Sequence, residues 1–253
     1  TLNRPEKMNA MGVAMQRELV AAVLEAGKDD EVRVIVIKGA GRCFSAGWDI
    51  EPSSPDPIFG KYTIIQDLER LREKENRLLT IRDVLKPTIA QIHGYCLAGA
   101  AHIAAMCDIA IVAEDAIIGD RSGPQGAGFI TPMWLWALGS RKAREMRFAI
   151  GTTLSGVEAE RLGFANKAVP ADRLEAEVNE LATRIAQTPL DLLKLDKMLL
   201  NRAEDLMGYR AIAELGSDID VIARVTPGAK AYHDLVKERG LKRALKEWPE
   251  ALP

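Results

Sequence analysis

The sequence predicts an α/β protein in which a largely parallel sheet is followed by a helical region. The segment VRVIVIKG, residues 32–39, is β-branched and almost continuously apolar, as is typical of a strand covered on both faces. Residues 11–28 and 61–84 on either side of it repeat apolar positions at helical spacing. Strands that alternate with helices in this order favour an α/β core.

The elements that follow continue this alternation. KPTIAQIHGYC, residues 86–96, predicts a second buried strand that is interrupted at Gly94. The remaining predictions are a short helix at 99–106, two short strands at 109–119, a helix at 131–151 and a short strand at 165–170.

The helix after Ser155 carries its own boundary signals. Ser155 with Glu158 three residues later forms a capping box, and Gly163 supplies the C-cap.

Sequence beyond Arg173 is helical and charged throughout. We therefore divide the chain into an α/β core with the functional site, residues 1–172, and a C-terminal helical region, residues 173–253.

Composition excludes several classes of protein. The formal net charge of the 253 residues is −2, which gives no electrostatic basis for binding nucleic acid or an anionic membrane. No apolar run reaches the roughly 18 residues of a membrane span, and no signal peptide is recognisable. The three cysteines lack metal-ligand spacing, so we expect reduced thiols, a cytoplasmic location, no metal and no organic cofactor.

Two turns of small residues share one design, in which a strand leads through Gly and Ala into a helix. They are Phe44–Asp49 and Leu97–His102. Small residues let a ligand approach the backbone, and the first N–H groups of a helix point outward. Two such N–H groups that converge on one oxygen would form an oxyanion hole. Tight strand–helix packing explains the same composition, and neither turn matches a phosphate-binding glycine fingerprint.

Four segments together resemble the crotonase (enoyl-CoA hydratase/isomerase) family. They are LNRPEKMNAM at 2–11, GRCFSAGWDI at 41–50, KPTIAQIHGYCLAGAAHIAAMCDIAIVAEDAIIG at 86–119 and RKAREMRFAIGTTLSGVEAERLGFANKAVP at 141–170. They occur in the family's order and, with the helical tail, cover nearly the whole chain. The resemblance implies a crotonase fold of repeated ββα units, a C-terminal helical trimerisation region, and a homotrimer or hexamer.

The resemblance also implies a ligand, an acyl-CoA thioester of fatty-acid metabolism. Its carbonyl oxygen would accept hydrogen bonds from the N–H groups of Trp48 and Gly99, which would stabilise an enolate. The other residues that the resemblance implies at the substrate are Ala46 near the adenine, Gly47 and Leu97 in the two turns, Arg4 and Lys7 at the CoA phosphates, and Trp134 at the acyl group. For Arg4 and Lys7 the alternative is a solvated surface charge, and for Trp134 it is the core.

The sequence departs from the family at both catalytic glutamates. Hydratases of the family carry them three residues after the second oxyanion glycine and in the loop after the strand ending AIIG. These positions are His102 and Ser122 here. His102 could act as a general base or acid, or it could simply fill the pocket. Asp120 could pair with His102 or hold a water molecule, or it could pair with Arg121.

The sequence therefore predicts an acyl-CoA-binding enzyme of the enoyl-CoA hydratase/isomerase type. One alternative is hydrolysis of the thioester or of a C–C bond, with water activated by His102 and Asp120. The other alternative is an acyl-CoA binder without catalysis. Asp49 and Asp108 are interpreted as structural carboxylates.

Overall fold

The computed structural model describes residues 1–49, 62–120, 131–149 and 151–248. Its strands are β1 (Ile35–Lys38), β2 (Thr88–Ile92), β3 (Tyr95–Leu97), β4 (Ile109–Ala113), β5 (Ile117–Gly119), β6 (Thr153–Ser155) and β7 (Lys167–Val169). Its α-helices are α1 (Val13–Lys28), α2 (Ile64–Asp83), α3 (Gly99–Met106), α4 (Thr131–Phe148), α5 (Gly156–Leu162), α6 (Leu174–Ala186), α7 (Leu190–Leu206), α8 (Tyr209–Arg224), α9 (Pro227–Arg239) and α10 (Leu241–Glu247).

Two sheets form the centre of the fold. The first has the order β1-β2-β4-β7 and is parallel throughout, with Val36 opposite Ile89 and Ala90 opposite Ala110. All five residues of β2 are buried, as expected for a parallel strand with both faces covered. The second sheet has the order β3-β5-β6 and is mixed, because β6 runs antiparallel to β5.

Gly94 is the point at which the chain leaves the first sheet for the second. Its φ of +57° lies in the region that glycine tolerates best, and a Cβ there would lie 2.3 Å from the Arg42 carbonyl oxygen. The predicted interruption of the second buried strand is thus confirmed. The short helix predicted at 99–106 is also confirmed as α3.

The helix predicted over 131–151 is wrong in one respect, because a break divides α4. Gly139 has φ 70° and ψ 169°, which is outside the helical region, so two shorter helical parts meet there. A glycine adopts this conformation without a Cβ clash. Because the apolar pattern on either side keeps its helical period, the sequence predicts one continuous helix. The capping box of Ser155 and Glu158 and the left-handed cap at Gly163 are confirmed in α5.

The C-terminal helices pack on the sheet through both apolar and charged contacts. Side chains of α6 and α8 join the same hydrophobic core as β2, among them Leu174, Val178, Tyr209, Ala213 and Val221. Lys197 of α7 is buried, and its ammonium lies 2.7 Å from the Asp108 carboxylate. Asp108 also accepts hydrogen bonds from the N–H and hydroxyl of Thr88, which confirms its structural role.

Across the residues that the structure describes, every helix is too short or too polar to cross a lipid bilayer. The same residues contain no group of three or more His, Cys, Asp or Glu side chains arranged to hold a metal ion.

Candidate functional site

The N-terminal segment holds the first small-residue turn in place. The buried side-chain amide of Asn9 donates hydrogen bonds to the carbonyl oxygens of Ala40, Cys43 and Phe44, at 2.8, 2.9 and 3.1 Å. Its carbonyl oxygen accepts from the backbone N–H of Arg4 at 2.9 Å. One side chain therefore satisfies four backbone groups and ties the turn to the start of the chain.

Trp48 follows the turn in an extended conformation beside Met11. The N–H of Met11 donates to the Gly47 carbonyl, and the N–H of Asp49 donates to the Met11 carbonyl. In a parallel ladder these bonds engage the residues on either side of Trp48. The N–H of Trp48 itself therefore points away from Met11.

The two small-residue turns touch through their backbones. Ser45 and Cys96 form a parallel bridge, in which Ser45 N–H donates to Tyr95 and Leu97 N–H donates to Ser45. Gly47 has φ +98°, and a Cβ there would lie 2.5 Å from the Leu97 oxygen and 3.1 Å from the Gly99 nitrogen. Only glycine fits this contact, which puts Trp48 and Gly99 next to each other.

The second turn carries backbone strain directly before α3. Ala98 has φ +47° and ψ −113°, a conformation that costs a non-glycine residue about 1–3 kcal/mol. Its N–H donates to the Gly119 carbonyl at 2.7 Å, which fixes the turn against β5. The N–H of Gly99 is the first of α3, where no carbonyl lies one turn back within the helix. Strain at this position suits a site where backbone direction matters.

The indole of Trp48 lies against Gly99. A Cβ at position 99 would come within 2.2 Å of the ring, so the glycine makes room for the indole as well as for a ligand. The ammonium of Lys74 on α2 lies 3.5 Å from the centre of the Trp48 ring, a cation–π contact. The turn thus has a cationic side chain beside it.

His102 lies one turn into α3 and is completely buried. Its Nε2 is 3.4 Å from Oε1 of Glu75, which projects from α2 and is 1% exposed. The rings of His102 and Trp48 meet edge to face, with their centres 6.5 Å apart. A buried carboxylate and an imidazole are therefore placed beside the two turns.

Glu75 is the residue of this site that the sequence analysis missed. It lies in the apolar stripe of α2, four residues after Leu71 and three before Leu78, both of which are buried. A carboxylate in a core-facing position is unusual unless it is paired. The helical phase of the leucines was the available signal, because it places residue 75 inward.

The two remaining residues of the predicted catalytic set are Asp120 and Ser122. The Asp120 carboxylate forms an ion pair with Arg147 of α4. Pairing with His102 was one of the alternatives for Asp120, but the described side chains form two separate pairs, His102 with Glu75 and Asp120 with Arg147. Arg121 and Ser122 lie outside the described residues, so the role of Ser122 stays a prediction.

Arg4 and Lys7, the two cations predicted at the CoA phosphates, differ in their contacts and exposure. The Arg4 guanidinium lies 2.6 Å from the Asp49 carboxylate and 3.2 Å from the Ala10 carbonyl oxygen, so it braces the residue directly after Trp48. This confirms the structural role of Asp49. Lys7 is exposed at the end of a 3-10 turn, Pro5–Lys7. Ala46 donates its N–H to Met8 and is partly exposed, as is Leu97.

Trp134 lies in the core, which is the alternative that the sequence left open. The side chain is 1% exposed and packs on Phe164, with ring centres 5.6 Å apart.

The cysteines are free thiols in the structure. Burial raises the pKa of Cys96 well above its usual value, and burial with the nearby Asp108 charge raises the pKa of Cys107 to about 12. Both side chains are therefore neutral near pH 7, as structural thiols are.

The fold and these turns define a protein of the crotonase type. The chain belongs to the enoyl-CoA hydratase/isomerase family, whose sequence model matches residues 1–222.

Solved structures of the family superimpose closely on this chain. An enoyl-CoA hydratase/isomerase from Xanthobacter autotrophicus Py2 has a TM-score of 0.89 and 30% identity, covering 99% of this chain and 93% of its own. An enoyl-CoA hydratase from Mycobacterium smegmatis has a TM-score of 0.85 and 30% identity, covering 96% and 86%. A relative from Mycobacterium tuberculosis named "Putative enoyl-CoA hydratase EchA13" is 33% identical, covering 83% of this chain and 72% of its own. These matches confirm the family and the fold expected from the sequence.

We expect the substitution Asn9→Gly to lower the free energy of unfolding by about 2–3 kcal/mol, because three carbonyl groups lose their donor, two of them in buried hydrogen bonds. Glycine retains the positive φ of 54° that Asn9 adopts, so backbone strain does not contribute. Urea unfolding followed by circular dichroism measures the change.

The matched control is Asn3→Gly, since Asn3 is exposed in the same segment. Equal stability of the two variants would contradict the role assigned to Asn9.

Proposed function

We propose that this chain binds an acyl-CoA thioester and stabilises its enolate through the backbone N–H groups of Trp48 and Gly99. The observation that carries the proposal is the close contact of the two turns at Gly47. It brings an N–H that points away from its own ladder next to the first N–H of a helix. A backbone donor aimed at developing negative charge lowers the transition-state free energy by roughly 2.7–4 kcal/mol.

Membership of the family supports the thioester as ligand, since the relatives are named as enoyl-CoA hydratases and isomerases. An enolate forms when a proton leaves the carbon next to the thioester carbonyl, or when a nucleophile adds to an enoyl double bond. Both reactions require a group that moves a proton. We assign this role to His102, because the imidazole is buried beside both turns and has one ring nitrogen that can accept a proton and one that can donate it.

The ion pair of Asp120 with Arg147 makes hydrolysis through a His102–Asp120 pair the weaker alternative. A carboxylate held by a guanidinium is a poor partner for activating water, because its charge is already neutralised. Hydration or isomerisation of an enoyl-CoA is therefore the reaction class that we propose.

Self-association is the second part of the proposal. Large apolar side chains of α7, of α8 and of the residue that follows each of these helices are exposed in the single chain; they include Leu195, Leu199, Leu200, Leu206, Met207, Ile222 and Val225. Exposed large apolar side chains in such number are typical of a protein interface. The family resemblance implies a trimer, or a hexamer of two trimers, and the C-terminal helices are the surface that we assign to it.

The reaction is tested by incubating the protein with crotonyl-CoA and with bulkier enoyl-CoA and ring-acyl-CoA thioesters, followed by chromatography and mass spectrometry. We expect a product that gains one water or an isomer of unchanged mass. His102→Ala should lower the rate by about 100-fold or more, as loss of a general acid–base does. Release of free CoA and an acid would instead support the hydrolase. Tight binding with every thioester unchanged would contradict catalysis.

Gly99→Val should abolish turnover, because its Cβ would displace the Trp48 indole and block close approach of the thioester carbonyl. The matched control is Gly228→Val in α9, where a Cβ would have no neighbour within 4 Å. Turnover of both variants is measured on the substrate found in the panel. Wild-type activity in Gly99→Val would overturn the oxyanion assignment.

Light scattering on the protein should give the mass of a trimer or hexamer. Leu199→Glu, on the exposed apolar face of α7, should shift this mass towards the monomer, because the charge would have to be buried. Leu24→Glu is the control, since Leu24 is an exposed leucine on a different helix, α1. A wild-type protein that is monomeric at micromolar concentration would contradict the assembly.

A further inference from the structure

The buried carboxylate of Glu75 is a feature that the fold itself does not require. Glu75 is 1% exposed, and neither of its carboxylate oxygens accepts a hydrogen bond from the residues that the structure describes. Its immediate neighbours in the stripe of α2 are the buried side chains of Leu71, Leu78 and Leu79. An apolar residue of similar size would fill this position without the cost of desolvating a charge.

The group that faces Glu75 is the ring of His102. Oε1 lies 3.4 Å from Nε2, an ion-pair distance that a small side-chain rotation would shorten to a hydrogen bond. Contacts of this kind are often long in a free enzyme and shorten when substrate binds. The two residues come from different helices, α2 and α3, so the pair depends on how these helices pack.

The other charged and titratable groups near the pair have partners of their own. Lys74, the residue before Glu75, lies over the Trp48 ring. The Tyr209 hydroxyl donates to the sulfur of Met133 at 3.0 Å, and burial raises the pKa of Tyr209, with smaller contributions from the Glu204 and Glu75 charges. The Arg82 guanidinium lies over the Tyr209 ring and pairs with Asp205 and Glu204. Among the residues that the structure describes, His102 is thus the one whose nitrogen lies within ion-pair distance of the Glu75 carboxylate.

We propose that Glu75 is a positioning residue for His102, which sets the tautomer of the imidazole and stabilises its charged form during proton transfer. The inference rests on the proposed function of the same site. With its proton on Nε2 directed at Glu75, the neutral ring has Nδ1 as its acceptor nitrogen.

The proton balance of this step is simple. Nδ1 takes a proton from the carbon next to the thioester carbonyl, or from a water that adds to the double bond. In the first case the C–H electron pair becomes the enolate. In the second case the O–H electron pair stays on the oxygen, which forms the new C–O bond, and the π electron pair of the double bond moves into the enolate. The resulting imidazolium faces the Glu75 carboxylate, and it later returns the proton to the product.

The experiment compares Glu75→Gln with Glu73→Gln. Glu73 is the matched control, because it lies on the same helix with its side chain 66% exposed. On the thioester that wild type consumes, Glu75→Gln should lower kcat by about 100-fold or more with little change in KM, since substrate binding does not involve Glu75. In a His102→Ala background the same substitution should cause no further loss. A wild-type kcat in Glu75→Gln would overturn the inference.

A spectroscopic readout separates positioning from loss of structure. With ¹⁵N-labelled histidine, the His102 ring of wild type should show its proton on Nε2, and Glu75→Gln should shift the population towards the other tautomer. Unchanged ring signals would overturn the inference.

If Glu75→Gln fails to fold, Glu75→Asp carries the same test, because it keeps the charge and withdraws the carboxylate from the ring. Its kcat should fall with KM unchanged, and a wild-type kcat would count against the inference.

Failure of the proposed function can be distinguished from failure of the inference about Glu75. If wild type neither binds nor converts any thioester, that proposal is wrong, and the ring signals still report whether Glu75 controls His102.

Discussion

The backbone contact between two turns is the constraint on which the rest of this structure depends. Gly47 lies so close to the Leu97 oxygen and the Gly99 nitrogen that a single added carbon would not fit. In the function that we propose, this contact directs the N–H groups of Trp48 and Gly99, which come from distant parts of the chain, at one oxygen. The small residues at both turns permit the close approach of the two backbones.

The surrounding structure serves to hold these turns in position. Asn9 ties the first turn to the start of the chain, and Arg4 braces Asp49 directly after Trp48. The second turn is held by the hydrogen bond of Ala98 to Gly119 and accepts backbone strain at Ala98. Strain of this kind persists only where neighbouring contacts determine the conformation. The second sheet supplies those contacts, because β3, which leads into the turn, pairs in parallel with β5, which ends at Gly119.

Local signals in the sequence predicted the parts of this fold that are determined locally. The bounds of α3, the capping box at Ser155 and the interruption at Gly94 each depend on a few neighbouring residues, and all three are confirmed. The ion pairs were not predictable in this way. Glu75 meets His102, and Asp120 meets Arg147, only because helices that are distant in sequence pack together. The break at Gly139 lies within a continuous helical pattern, so periodicity alone could not reveal it.

The central claim is that Trp48 and Gly99 polarise a thioester carbonyl, and infrared spectroscopy tests it most directly. A saturated acyl-CoA with a ¹³C-labelled carbonyl is bound to the protein, and the isotope difference spectrum isolates the carbonyl stretch. Two converging N–H donors should move the stretch of the bound thioester to lower wavenumber than in free solution. A bound thioester whose carbonyl absorbs at the same wavenumber as the free one would contradict the account.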